Sequence, residues 1–219
     1  MKKVYCVGLL VCDIPLRPVP TSIFSLTRSD IDAPVWGIGG DAANVAMTLT
    51  KLGADAILTG PIGKDMYGEF LSRRLGEAGV DIRGLKEHPF LGTGISHILI
   101  EPSGERHFLP YREILDDMDY GCVCEDLIAE SDMVFFGSCM AMKKMDTGAT
   151  AELFKKAKSL GKTTVADFKG NGEMRGDYWL ELLDPVLRNC DILMPSLAEA
   201  RALAGKQELS EIRGALSTY

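Results

Sequence analysis

Apolar runs of strand length recur along the chain, at Val4–Cys12, Ala56–Ile62, Ile95–Ile100, Met133–Gly137, Thr163–Ala166 and Asp191–Met194. Between several of them the apolar positions change period. Ala43, Val45, Ala46, Leu49 and Leu52 fall at helical spacing, as do Phe70, Leu71, Leu75 and Ala78, and again Ala151, Phe154, Ala157 and Leu160. Gly53, Gly79 and Gly161 stand where these helices should stop, since a helix end favours a residue that tolerates positive φ. Strands alternating with helices predict parallel β-α-β units, and hence an α/β fold with a doubly wound, mostly parallel sheet.

Two regions break the alternation. Residues 13–36 hold four prolines and no helical spacing. Residues 81–113 read as strands with turns at Gly92 and at Pro102-Ser103-Gly104, and Gly94–Ile100 with Glu105–Tyr111 suggests an antiparallel hairpin. Both regions predict a small β element standing off the main sheet. No repeat or low-complexity tract interrupts the 219 residues, which is the length of one large domain, or of one domain with a small accessory element.

Composition narrows the class. The chain is 46% hydrophobic and 25% charged, which suits a globular protein with a full core. No run approaches the ~20 apolar residues that cross a bilayer, so no membrane partner is expected. The start, Met1 to Leu10, is basic and then apolar, like a signal peptide. Its apolar run is short, however, and Asp13, Pro15 and Arg17 follow without a small-residue cleavage site, so a buried first strand is the better reading. A net charge of −7 argues against nucleic acid as a partner. The six cysteines form no Cys-x-x-Cys pair, and His88, His97 and His107 are not at metal-site spacing from them. Reduced, mostly buried thiols in the cytoplasm are the expectation, rather than disulfides or zinc.

The stretch most suggestive of chemistry is Gly37-Ile38-Gly39-Gly40-Asp41-Ala42-Ala43-Asn44, a glycine pair directly before a helix. Glycines there let a ligand approach the backbone, and first-turn N–H groups have no intrahelical partner. Such an end can donate to hydroxyl or anionic groups, and a first-turn Asn offers both a donor and an acceptor, as a polyol needs. A tight turn alone would explain a lone glycine pair. Here Asp13 precedes it, and Lys51-Leu52-Gly53-Ala54, Gly60-Pro61-Ile62-Gly63-Lys64-Asp65-Met66-Tyr67-Gly68 and Leu75-Gly76-Glu77-Ala78-Gly79-Val80 follow in order. This order resembles the first signature of the ribokinase-like (pfkB) carbohydrate kinase family. Thr93-Gly94, the Ser103-Gly104-Glu105-Arg106 turn, Phe136-Gly137-Ser138, Asp167 with Arg175 and Trp179, and Asp191 to Ala200 are similar to later parts of the family pattern.

The resemblance implies an ATP-dependent sugar kinase that uses Mg²⁺. Asp13, Gly39, Gly40 and Asn44 match the positions that bind the sugar hydroxyls. Segments about 14–35 and 90–113 match a β lid that closes over the sugar, and that lid often pairs with another copy, so a homodimer is implied as possible. Glu199 matches the glutamate of the family's Asn-x-x-Glu motif, which makes it the implied metal and cofactor contact, although Ser196 occupies the Asn place. Counting back from Trp179, Arg175 takes the place of the family's substrate-facing arginine. Counting forward from Asp167, Lys169 and Asn171 take the Asn and Arg places instead, so this loop is longer than usual.

The family's late Gly-Ala-Gly-Asp motif carries the general base and the anion hole. It does not occur up to Tyr219, the last of the 219 residues, so the resemblance implies that the family base lies beyond Tyr219. The resemblance therefore covers the N-terminal two-thirds of the family pattern. It implies a ribokinase-like domain without its C-terminal nucleotide-binding part, no catalytic residue in this chain, and inactivity of this chain alone. A longer natural protein is the expectation. Two alternatives stand beside the sugar kinase. One is a nucleoside kinase on the same scaffold, for which Phe24, Phe90 and Phe108 are candidate base-stacking residues; the other is a non-catalytic sugar-binding homologue. Asp41 reads as a helix N-terminal charge. Arg106 and Arg112 read equally as solvated lid charges or substrate contacts. Met140, Met142 and Met145 read as gap fillers near the site rim.

Overall fold

The computed structural model describes residues 2–33, 35–170 and 176–219. In chain order the strands are β1 (Lys3–Gly8), β2 (Val11–Leu16), β3 (Gly37–Gly39), β4 (Asp55–Thr59), β5 (Pro61–Gly63), β6 (Lys86–His88), β7 (Ile95–Ile100), β8 (Arg106–Tyr111), β9 (Met133–Cys139), β10 (Thr163–Phe168) and β11 (Ile192–Met194). The α-helices are α1 (Asp41–Lys51), α2 (Met66–Glu77), α3 (Glu113–Asp117), α4 (Glu125–Glu130), α5 (Thr150–Ser159), α6 (Gly176–Leu187), α7 (Leu197–Ala204) and α8 (Leu209–Leu216). Gly53, Gly79 and Gly161 lie at φ of 88°, 84° and 69°, so the three helix stops are where the sequence put them.

Five strands form a parallel sheet in the order β11-β10-β9-β1-β4. Successive side chains on a strand point to opposite sides, and both faces are packed along β1, β9 and β10, whereas Ile192 and Met194 on the edge strand β11 are exposed. On β1, Tyr5 and Val7 enter a core shared with α4, α5 and α6, whereas Val4 and Cys6 enter a second core shared with α1 and α2. Tyr5 is fully buried, and its hydroxyl accepts from Thr59 Oγ1 at 2.8 Å and from the Cys124 N–H at 3.0 Å. A buried phenol is tolerated because its polar tip is bonded.

A second sheet has the order β3-β2-β7-β8, with β2 parallel to β7 and the outer pairs antiparallel. The β7–β8 pair is the expected hairpin. The single apolar run Val4–Cys12 is not one strand. It breaks after Gly8 (φ 140°), where a Cβ would lie 2.4 Å from the Gly137 carbonyl oxygen. Leu9 and Leu10 are buried at the break, and the chain leaves the large sheet to begin β2 of the small one. Ala56–Ile62 divides likewise into β4 and β5, and β5 pairs with β6. Gly37–Gly39, read from sequence as the lead-in to a helix, is also the edge strand of the second sheet.

One clamp joins the two layers. Asp65 caps α2: its Oδ1 accepts the N–H groups of Tyr67 and Gly68 at 3.1 and 2.9 Å. The same carboxylate accepts the Thr93 N–H at 2.7 Å and the Thr93 hydroxyl at 2.7 Å, just ahead of β7. Burial works against its charge, but these donors win and hold the carboxyl below its ordinary value.

Candidate functional site

Where the small sheet faces the C-terminal ends of the large one there is a cavity of about 280 Å³. Asp13 reaches it from the middle of β2, at the register position facing Gly37 on β3 and Ser96 on β7. Space for that carboxylate comes from Gly39: a Cβ there would lie 2.2 Å from Asp13 Oδ2. Burial pushes the Asp13 carboxyl up from its ordinary value, with the Lys169 ammonium opposing. A half-buried acceptor with no full ion pair suits the binding of hydroxyl hydrogens.

The N-terminus of α1 forms the opposite wall, with Gly40, Asp41 and Asn44. Gly40 (φ 94°) passes so near the β1–β2 junction that a Cβ would lie 2.3 Å from the Leu9 carbonyl oxygen. Only glycine allows both this backbone and this approach. Asp41 accepts the Ser138 hydroxyl and lies 3.8 Å from the Lys169 ammonium, so its charge is engaged beyond the helix dipole. Asn44 is exposed, and its carboxamide has no hydrogen bond among the described residues. Ser96, Phe108, Arg112 and Lys169 complete the polar and aromatic lining. Phe108 thus joins the cavity, whereas Phe24 and Phe90 are 94% and 91% exposed and lie away from it.

Beyond Asp41 two further carboxylates, Asp167 on β10 and Glu199 on α7, lie near enough for their charges to be felt. Asp167, at the end of β10, is pushed up to about 6, first by burial and then by the charges of Asp41 and Glu199. Glu199 accepts the Gly170 N–H at 2.9 Å and the Ser196 N–H at 2.7 Å, while its own N–H donates to Ser196 Oγ at 3.3 Å. Ser196 is therefore the N-cap of α7, and with Glu199 it closes a capping box. Burial opposes the Glu199 charge, but the bonds from Gly170 and Ser196 hold its carboxyl below the ordinary value. Carboxylate oxygens such as those of Asp167 and Glu199 are the donor chemistry that a hard divalent cation takes, although among the described residues Asp41, Asp167 and Glu199 do not close into a three-ligand cluster. Arg175 lies outside the described residues.

Sequence reasoning assigned Asp13, Gly39, Gly40, Asn44, Arg175 and Glu199. Asp13, Gly40 and Asn44 line this cavity, Gly39 lies behind the Asp13 carboxylate, Arg175 is outside the described residues, and Glu199 lies away from the lining, at the start of α7. Tyr219, which entered only as the point beyond which the family base is expected, is not part of the cavity lining. It follows α8, and its ring lies under the Arg188 guanidinium, 5.3 Å from the centroid, which is a packing role. Sequence reasoning did not find Ser96, and it left Arg112 undecided. Ser96 lies between Ile95 and His97 on β7, and a small polar residue in an otherwise apolar strand run was the available signal. Met140, Met142 and Met145 are fully buried core residues.

Residues 1–218 match the pfkB family of carbohydrate kinases. A Pyrococcus horikoshii protein described as a sugar kinase is 27% identical over 193 residues, covering 82% of this chain and 58% of its own. Rice fructokinase-1 is 28% identical over 145 residues, covering 65% of this chain and 45% of its own. The chain thus spans less than two-thirds of the length of these curated relatives. Among solved structures, a fructokinase from Xylella fastidiosa superposes with a TM-score of 0.81 at 23% identity, over 100% of this chain and 70% of that one. A structure of Xylella fastidiosa fructokinase with bound ATP gives a TM-score of 0.80 at 22% identity, over 99% of this chain and 65% of that one. A ribokinase-type α/β fold and a sequence match running from the first strand to the last helix lead to one statement: the chain belongs to the pfkB family of carbohydrate kinases.

Proposed function

We propose that this chain supplies the sugar-binding part of an ATP-dependent sugar kinase. The observation that carries the reading is convergence: Asp13 from the small sheet and Gly40 and Asn44 from the start of α1 meet at one cavity. Asp13 and the Asn44 carboxamide accept and donate to sugar hydroxyls, Gly39 makes room for the Asp13 carboxylate, and Gly40 gives the ligand access to backbone. The β7–β8 hairpin roofs the cavity and excludes water, which would otherwise compete for the phosphoryl group. Asp167 and Glu199 are the residues that would hold Mg²⁺, and the bound ion would neutralise charge on the phosphates of ATP. No residue of this chain is assigned as the base, so binding rather than turnover is the property expected of it alone.

A nucleoside kinase is the second reading, favoured by Phe108 in the cavity wall. A non-catalytic sugar-binding protein is the third. The outer strand β8 is exposed at all six residues, which suits pairing with a second copy into a homodimer. Six free cysteines suit a reducing cytoplasm.

Calorimetry with a panel of hexoses, pentoses and nucleosides tests the reading. One class should bind, and Asn44→Ala should weaken it about tenfold, the value of one or two hydrogen bonds. A folded Asn44→Ala variant with native affinity refutes the assignment. ADP release over the same panel by the full-length protein separates the kinases from the binding protein.

A further inference from the structure

Three residues of the sugar cavity are tied to one turn at the end of β9. Ser138 Oγ donates to the Asp41 carboxylate, the Cys139 carbonyl accepts the Lys169 N–H at 2.9 Å, and the Ala141 carbonyl accepts Arg112 Nη2. Asp41 begins α1, Lys169 follows β10 and Arg112 precedes α3, yet all three line the cavity. The Ala141 N–H closes the turn by donating to the Ser138 carbonyl at 3.1 Å.

The turn is not one its residues favour. Ser138 and Met140 have φ of 78° and 73°, a region that a residue with a Cβ keeps only where other contacts hold it there. The hold comes from Asp146, which is 4% exposed and lies just ahead of α5. Its Oδ1 accepts the Met140 N–H at 2.8 Å and its Oδ2 the Met142 N–H at 2.9 Å. An ionised carboxylate can accept with both oxygens. Protonation, or replacement by a carboxamide, sets a donor against one of the two N–H groups and leaves a single bond.

We propose that Asp146 is a positioning residue for the sugar site: its two oxygens grip the turn over residues 138–142, and the turn fixes where Asp41, Lys169 and Arg112 stand. Asp146 is not itself part of the sugar-cavity lining. The proposal rests on reading that cavity as a sugar site, and it carries a pH dependence. Burial pushes the Asp146 carboxyl up to about 7, with Asp116 adding to the rise and the two N–H groups and the Arg112 charge opposing it. Around it stand Arg112 and Asp116 at the α3 end, Lys143 on its own segment, Tyr178 on α6 and the Cys139 thiol on β9. The two-oxygen grip is complete above the raised value and is lost as pH falls through it.

Calorimetry with D-fructose, D-glucose and D-ribose at pH 8 and pH 6, on the native protein and on Asp146→Asn, is the test. Asp13 and Asp167 are also raised, but both variants keep them, so the affinity ratio isolates Asp146. For the tightest-binding sugar, the native protein should bind about tenfold more tightly than Asp146→Asn at pH 8, the value of one bond to a charged acceptor. At pH 6 only about a tenth of the native carboxyl is ionised, and the ratio should shrink to about twofold. A residue that merely supports the fold would give one ratio at both pH values. A ratio near one at pH 8, or an equal ratio at both, with native circular dichroism overturns this proposal alone. Should Asp146→Asn not fold, the native protein with ¹³C-methyl methionine decides. The Met140 and Met142 methyl signals should titrate together near 7, and saturating sugar should lower that midpoint by up to about one pH unit. A midpoint that sugar leaves in place overturns the proposal. Failure of all three sugars to bind overturns it together with the sugar-site reading beneath it.

Discussion

Gly39 and Gly40 are neighbours, yet a methyl group added to each should fail for different reasons. At Gly39 the new Cβ would lie 2.2 Å from Asp13 Oδ2, 2.4 Å from Cγ and 2.5 Å from Oδ1. Ordinary contact is about 3.5 Å, so the carboxylate must retreat by roughly 1 Å. It is the free end of a side chain, and turning it costs about 1 kcal/mol. At Gly40 the obstacle is backbone: the Leu9 carbonyl oxygen would be 2.3 Å away and its carbon 2.5 Å away, at a φ of 94°. The unfavourable backbone costs about 1–3 kcal/mol and the overlap a further ~1–3 kcal/mol. Gly39→Ala should therefore keep its urea midpoint within about 0.5 M of the native value, and Gly40→Ala should lose about 1 M or more. Sugar binding should show the opposite order of sensitivity per unit of stability lost. Displacing one charged acceptor is worth about 1.5–3 kcal/mol, or roughly ten- to 150-fold in Kd. Urea titration by circular dichroism and calorimetry with the best-binding sugar give both numbers. Native sugar affinity in Gly39→Ala would refute the placement of Asp13 in the binding site.

Asp65→Ala should lower stability by about 2–3 kcal/mol in chemical denaturation, since it removes a helix cap and the bonds to Thr93. Because the Asp65 carboxyl is held below its ordinary value, its contribution is complete above that value and is lost as pH falls through the depressed one. Native stability should thus decline more steeply below about pH 4 than that of Asp65→Asn. Asp167→Asn should raise the melting temperature at pH 8 without metal, by removing a charge disfavoured first by burial and then by repulsion from Asp41 and Glu199. The raised carboxyl makes that gain largest above about 6 and smaller as acid titrates the native group. Adding Mg²⁺ should raise the melting temperature of the native protein more than that of Asp167→Asn; equal shifts would remove Asp167 from the metal site.

The layered fold was legible because its signals are local. Period and glycine stops locate α1, α2 and α5, and apolar runs locate β9 and β10 within two residues. The run Val4–Cys12 was not legible as two strands, since burial is continuous from Val4 through Leu10 while the chain changes sheets. Periodicity reports burial and cannot say which sheet a strand joins. Asp13, Gly39, Gly40 and Asn44 were legible only as a pattern, because what joins them is the β2–β3 register. Arg112 and Lys169 are far apart in the chain and meet at the cavity through tertiary packing alone. The Asp65–Thr93 clamp was missed for the same reason: an Asp before helical spacing signals a cap, but nothing local announces a partner 28 positions away.

Leu9 and Leu10 are all that separates β1 from β2. Two residues reach no more than about 7 Å, so this junction acts as a door jamb. Asp13 stands three positions past it, on the jamb side, and the Gly104 turn stands at the swinging edge. A tilt of the small sheet would then carry the turn far and the carboxylate hardly at all. Solute would enter and leave past the turn while the grip on its hydroxyls persists. Amide hydrogens of residues 101–107 should accordingly exchange faster than those of 11–13, and ligand should slow the first group more.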